Sequence, residues 1–198
     1  MAKEHSSPPP ESTLRALTSW LKAENVPGLI IGGIAASLLG RPRFTQDVDA
    51  LISLDEDLWA TFLATGARFG FESRITDPAG FARRSRVFLV RHLSTGIDVD
   101  IAVAGLPFEE EAIRQVKRRK LGKLSLPLPT PENLIIMKAV AQRPQDMADI
   151  RAVVDTNPNL DYRRIRQWVK EFSIALDMPD MLIELEKILS GAKKRKRR

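Results

Sequence analysis

Two aspartates stand two residues apart at the head of an apolar run, Asp47 and Asp49 in QDVDALI. This spacing constrains the fold more than any other feature of the chain. On an extended strand, residues i and i+2 point to one face, so the two carboxylates would lie side by side. With Val48, Ala50, Leu51 and Ile52 around them, the strand reads as largely buried, where unpaired carboxylates are costly. A hard divalent cation relieves the repulsion, and Mg²⁺ is commonly held by one or two carboxylates plus substrate phosphates. Upstream, the apolar run Leu29–Ile31 ends in Gly32 and Gly33, and a small-residue helical segment follows. Paired glycines let a bulky ligand approach the backbone. A strand-to-helix junction also presents free N–H groups to phosphate. Together these features read as a metal-triphosphate site.

Other segments carry chemistry. Gly96–Val103, GIDVDIAV, sets Asp98 and Asp100 on one strand face and Ile97, Val99 and Ile101 on the other. Arg41, Arg43 and Thr45 form a basic turn before Asp47. If Thr45–Asp49 is extended, the Thr45 hydroxyl shares the carboxylate face and could bind phosphate or fix a carboxylate; a plain turn role is the alternative. Lys138 lies within apolar LIIMKAVA, so it either snorkels to solvent or serves a buried anion. Asp146 and Asp149, at helical spacing, read as salt-bridge partners for Lys138, Arg143 or Arg151.

Gly-Gly, a spacer and Asp-x-Asp on a strand resemble the signature of the nucleotidyltransferase superfamily with the polymerase-β-like fold. Arg43, Thr45, Asp47 and Asp49 match its R-x-T-x-D-x-D pattern. DIAVAGLPFE resembles the segment that carries the third family carboxylate, which favours Asp100 and keeps Asp98 in reserve. Leu128–Ile150, LPTPENLIIMKAVAQRPQDMADI, resembles a helix pair of AbiEii-like toxin nucleotidyltransferases. The resemblance spans Gly28–Val154. It implies Asp47, Asp49 and Asp100 as catalytic and metal-binding residues, with Mg²⁺ or Mn²⁺. It implies Gly32, Gly33, Arg43, Thr45 and Lys138 as contacts to an NTP substrate. A nucleoside monophosphate would pass to an acceptor hydroxyl. The AbiEii-like segment further implies transfer RNA as acceptor, a role as the toxin of a toxin–antitoxin or phage-defence system, and a cognate antitoxin protein as partner. The competing expectation is a non-catalytic nucleotide- or RNA-binding module of the same fold.

Composition narrows the alternatives. With no cysteine and two histidines, His5 and His92, thiolate zinc sites, disulfides and Ser-His triads are disfavoured. No apolar run approaches the ~20 residues of a membrane span, and MAKEHSSPPPES lacks the apolar centre of a signal peptide. A cytoplasmic setting away from membranes fits. The net charge is +6, and Lys193–Arg198 alone carries six positive charges, so the remaining chain is balanced. This tail is either a solvated appendage or a transient nucleic-acid contact.

The patterning predicts an α+β fold, a mixed-sheet nucleotidyltransferase core (12–125) followed by a helical bundle (126–190), between a disordered N-terminus (1–11) and a disordered basic tail (191–198). Strands are expected at Gly28–Ile31, Asp47–Ile52, Val87–Val90 and Ile97–Val103, the last two antiparallel. Helices are expected after a Ser12 cap, at Ile34–Leu39, at Asp55–Phe69 with Leu58, Phe62 and Leu63 inward, and at Phe108–Lys120. The last would end in the cationic run Lys117–Lys120, continued by Lys123. Thr130 and Pro131 should open a further helix. Helices near Gln145–Val154, Asp161–Leu176 and Asp180–Leu189 complete the reading.

Overall fold

The computed structural model describes residues 10–195, with side chains to 191. The expected disorder of 1–9 and 196–198 lies outside the described residues. The chain divides into two compact units, residues 1–34 with 44–128, and residues 35–43 with 129–198. The second boundary falls three residues later than the sequence suggests, and the 35–43 segment belongs with the helical unit rather than with the core.

The first unit is built on a mixed five-stranded sheet of order β1-β2-β5-β4-β3. Its strands are β1 (Gly28–Ile30), β2 (Val48–Ile52), β3 (Phe71–Ser73), β4 (Val87–His92) and β5 (Ile97–Val103). Only β2 and β5 run parallel, and the other neighbours are antiparallel. Strand β5 alternates buried Ile97, Val99, Ile101 and Val103 with Asp98, Asp100 and Ala102, so one face feeds the core and the other presents the carboxylates. Helix α1 (Glu11–Ala23) buries Leu14, Leu17, Trp20 and Leu21. The Trp20 ring stacks on Phe62 with centroids 4.2 Å apart, and on Phe71 at 5.2 Å. Pro10, not Ser12, holds the N-cap position of α1, without a side-chain cap.

Two expected helices differ. The segment after Asp55 is a 3₁₀ turn followed by α3 (Trp59–Gly66), which buries Trp59, Phe62 and Gly66 and leaves Leu58 exposed. Leu58 belongs to the 3₁₀ turn, none of whose residues is buried, and Trp59 takes the inward position at the start of α3. Helix α5 (Pro107–Arg114) stops early, and the cationic run forms β6 (Lys117–Leu121), antiparallel to β7 (Leu124–Leu128). Gly122, at φ +57, begins the two-residue turn that joins them, a conformation glycine adopts without strain. Strand β7 buries Leu124, Leu126 and Leu128, whereas Lys117–Lys120 are exposed on both faces of β6. Helix α4 (Pro78–Ser85) completes the unit.

The second unit packs α6 (Pro131–Ala141), α7 (Pro144–Thr156), α8 (Tyr162–Ala175) and α9 (Asp180–Arg195). As expected, Thr130 caps α6, accepting from the Asn133 N–H, with Pro131 at the first turn. Helix α9 continues to Arg195, so the start of the basic tail is helical where disorder was expected. Helix α2 (Gly32–Leu39) begins two residues earlier than predicted.

Candidate active site

Strand pairing sets Asp49 and Asp100 opposite each other, as partners in the register of β2 and β5. Adjacent strands lie ~4.8 Å apart and opposite residues share a face, so the two carboxylates rise side by side from the sheet. Both are partly exposed. Their neighbours in the strands, Val48, Ala50, Val99 and Ile101, are fully buried. The core thus fixes the backbone while the acids face outward.

Gly32 closes one side of this pair. It adopts φ +59, and a Cβ built there would lie 1.8 Å from Asp49 Oδ2. Only glycine lets the first residue of α2 meet the carboxylate this closely. Gly33 follows within the same helix. Backbone pairing continues beyond β1, with the Ile31 N–H donating to the Asp49 carbonyl at 2.9 Å. Asp47 sits one residue ahead of β2 and is exposed. The desolvation argument that pointed to it from sequence therefore does not apply. Its Oδ1 accepts from the Thr45 hydroxyl at 2.8 Å, so Thr45 fixes a carboxylate.

Arg74 is the residue that sequence reading missed. It follows β3, and its backbone N–H donates to the Leu89 carbonyl at 2.9 Å. Its Nη1 donates to Asp98 Oδ2 at 3.0 Å, and its Nη2 donates to Asp100 Oδ1. Asp98 also accepts from Arg91 Nε at 2.6 Å. That bond holds the Asp98 carboxyl below the usual carboxylate range, with burial opposing and Arg74 adding to it. The face shared by Asp98 and Asp100 is thus bridged by one guanidinium. Among the described residues, no three His, Asp or Glu side chains stand close enough to share a metal ion. Asp49 and Asp100 are register partners on neighbouring strands, and Asp47 lies two residues before Asp49, outside β2. Asp47 is tied to Thr45 and Asp100 to Arg74.

The remaining candidates, Arg43 and Lys138, meet in the second unit. Arg43 grips Asp149 with Nε at 2.9 Å and Nη2 at 3.1 Å. Lys138 Nζ lies 2.7 Å from Asp146 Oδ1 and 2.8 Å from Asp149 Oδ2. Lys138, Asp146 and Asp149 are all buried. Burial works against the Asp149 charge, yet the hydrogen bonds from Arg43 and Lys138 outweigh it and lower its pKa. Two cations and two carboxylates balance, which is what permits their burial. The salt-bridge pairing read from the spacing of Asp146 and Asp149 is present.

Residues 11–182 match the family described as "Nucleotidyl transferase of unknown function (DUF2204)". The chain belongs to this nucleotidyl transferase family. Two solved structures carry the same fold. One is an antigenic nucleotidyltransferase-like protein from Paracoccidioides brasiliensis, 18% identical, with a TM-score of 0.54, over 88% of this chain and 92% of that one. The other is the lincosamide antibiotic adenylyltransferase LnuA, solved with lincomycin bound, 13% identical, with a TM-score of 0.53, over 74% of this chain and 98% of that one. No curated protein matches the chain. This family member therefore has the polymerase-β-like nucleotidyltransferase fold and is a nucleotidyltransferase enzyme. No described helix is long and apolar enough to cross a membrane.

Proposed function

We propose that the chain transfers a nucleoside monophosphate from an NTP to an acceptor hydroxyl, using Mg²⁺ or Mn²⁺ at Asp49 and Asp100 with Asp47 beside them. The observation that carries this reading is the in-register pair Asp49 and Asp100, with Gly32 against the Asp49 carboxylate. The donor set consists of carboxylate oxygens, which suit a hard cation that keeps some ligands for water and phosphate. When bound, the cation would offset charge on the triphosphate and on the leaving group. The acceptor oxygen attacks the α-phosphorus, and the bond from that phosphorus to the bridging oxygen breaks, releasing pyrophosphate. Asp100 is the candidate group for the hydroxyl proton. The first turn of α2, at Gly32 and Gly33, offers backbone N–H groups to phosphate. Thr45 orients Asp47. Arg43 and Lys138 both engage Asp149 within the second unit.

RNA is the acceptor class we favour, and transfer RNA within it. Lys117, Arg118, Arg119, Lys120 and Lys123 crowd one hairpin, and none has a carboxylate partner among the described residues. Such a surface displaces counterions from a phosphate backbone. The resemblance of Leu128–Ile150 to AbiEii-like proteins motivates the further proposal of a cytoplasmic toxin with a cognate antitoxin. Incubation with each α-labelled NTP, Mg²⁺ and total bacterial RNA or protein, followed by gel separation, tests the reaction and the acceptor together. A labelled RNA band, absent with D49N, is expected. No label with any NTP removes the proposal.

One observation favours a second reading. Arg74 occupies Asp100, and for as long as it stays there with nucleotide bound the site would hold nucleotide or RNA without turnover. NTP binding without product formation would select it.

A further inference from the structure

Arg74 is seated incompletely. Its guanidinium spans Asp98 and Asp100, yet its Nε is buried and has no hydrogen-bond partner. Buried donors left unpaired are rare and disfavoured. The bridge is also unequal in what it can give up. If Nη2 leaves Asp100, Nη1 keeps Asp98, so the cation retains a carboxylate partner. Asp98 is in turn anchored by Arg91. A guanidinium on one oxygen of Asp100 and a divalent cation on the same carboxylate repel each other. At a separation of about 4 Å the repulsion corresponds to roughly 30-fold in affinity even at the dielectric constant of water.

We propose that Arg74 competes with the divalent cation for Asp100, neutralising it in the metal-free chain and withdrawing to Asp98 when metal enters. This rests on the metal-binding reading of Asp49 and Asp100. Arg74 is then a positioning residue whose seat on Asp100 sets how tightly the site takes metal, apart from any role in the chemical step.

The test is Mn²⁺ affinity in the full chain without nucleotide, read by the free-ion EPR signal, with thermal unfolding as a second readout. R74Q should bind Mn²⁺ at least tenfold more tightly than the wild type, and Mn²⁺ should raise its Tm further. R74K, which keeps the charge but loses the fork, should fall between and covers the case in which R74Q folds poorly. R91Q, which removes a cation from Asp98 alone, should stay close to wild type. Unchanged or weaker binding in R74Q overturns the inference, as does an equal gain in R91Q, which would indicate general charge rather than competition at Asp100. D49N and D100N report on the underlying reading separately. Mn²⁺ bound equally by the wild type and both variants would remove the metal site itself, and the inference with it.

Discussion

Gly32 and Asp49 touch so closely that no side chain fits between them: a methyl group on Gly32 would lie 1.8 Å from Asp49 Oδ2, at a backbone φ of +59. G32A should therefore meet two penalties. The left-handed backbone costs about 1–2 kcal/mol for a residue with a Cβ, and the Asp49 carboxylate must move. The expected outcome is a folded protein of lower Tm with at least ~100-fold less transfer activity. G33A, inside the helix and without a positive φ, should keep or slightly raise the stability. Thermal unfolding and labelled-NTP assays on both variants check the contrast.

D100N should be far more damaging to turnover than D98N. Asp100 pairs in register with Asp49, whereas Asp98 faces two arginines. Loss of a carboxylate that meets metal should cost at least ~3 kcal/mol in kcat/KM, or about a hundredfold. Activity lost in D98N and retained in D100N would move the third carboxylate to Asp98.

Acidification should weaken the fold through His92. Burial lowers the pKa of this ring, which is 6% exposed and shares Nδ1 with Thr13 and Thr95. The folded chain therefore resists protonation that the unfolded chain accepts below its ordinary value of ~6.5. This contribution to stability is complete above that value and is lost as pH falls below it toward the depressed folded pKa. Urea midpoints at pH 7.5 and 5.5 should differ in the wild type, and the difference should shrink in H92Q.

D149A should be strongly destabilising. It leaves Lys138 with one carboxylate and Arg43 without the bidentate partner it has now. Breaking a buried ion pair from one side costs about 3–5 kcal/mol. Urea unfolding that shows a loss below ~1 kcal/mol would contradict the balanced-quartet description.

K117A/R119A should reduce the salt dependence of RNA binding. If both residues meet phosphates of a single strand, the slope of log K against log salt should fall by about 1.4. Deleting Lys193–Arg198 measures the contribution of the tail by the same slope. Fluorescence anisotropy over a salt series reads both.

The shared face of Asp98 and Asp100 was legible in the sequence because β5 obeys a two-residue period, with apolar partners that bury the other face. Thr130 and Pro131 were legible because capping chemistry is local. Arg74 was not: it follows a three-residue strand, in SRITDP, and its meaning depends on Asp98 and Asp100, 24 and 26 residues away. Strand β6 was misread because all five of its residues lie at or near the surface and so show no alternation. The remaining signal was Gly122-Lys123, a two-residue turn between Leu121 and Leu124, which pair across it. Asp47 was assigned to the strand because nothing local marks where pairing begins.

The cationic strand has a consequence for how copies of the protein meet. Strand β6 pairs only with β7 among the described residues, so its other edge offers backbone donors and acceptors to any strand that arrives. A second β6 laid along it would set lysine and arginine against lysine and arginine. Repulsion of this kind is how natural sheets guard an open edge against self-association. The protection is electrostatic and therefore conditional: concentrated salt, or a polyanion that neutralises the side chains, leaves the edge unguarded.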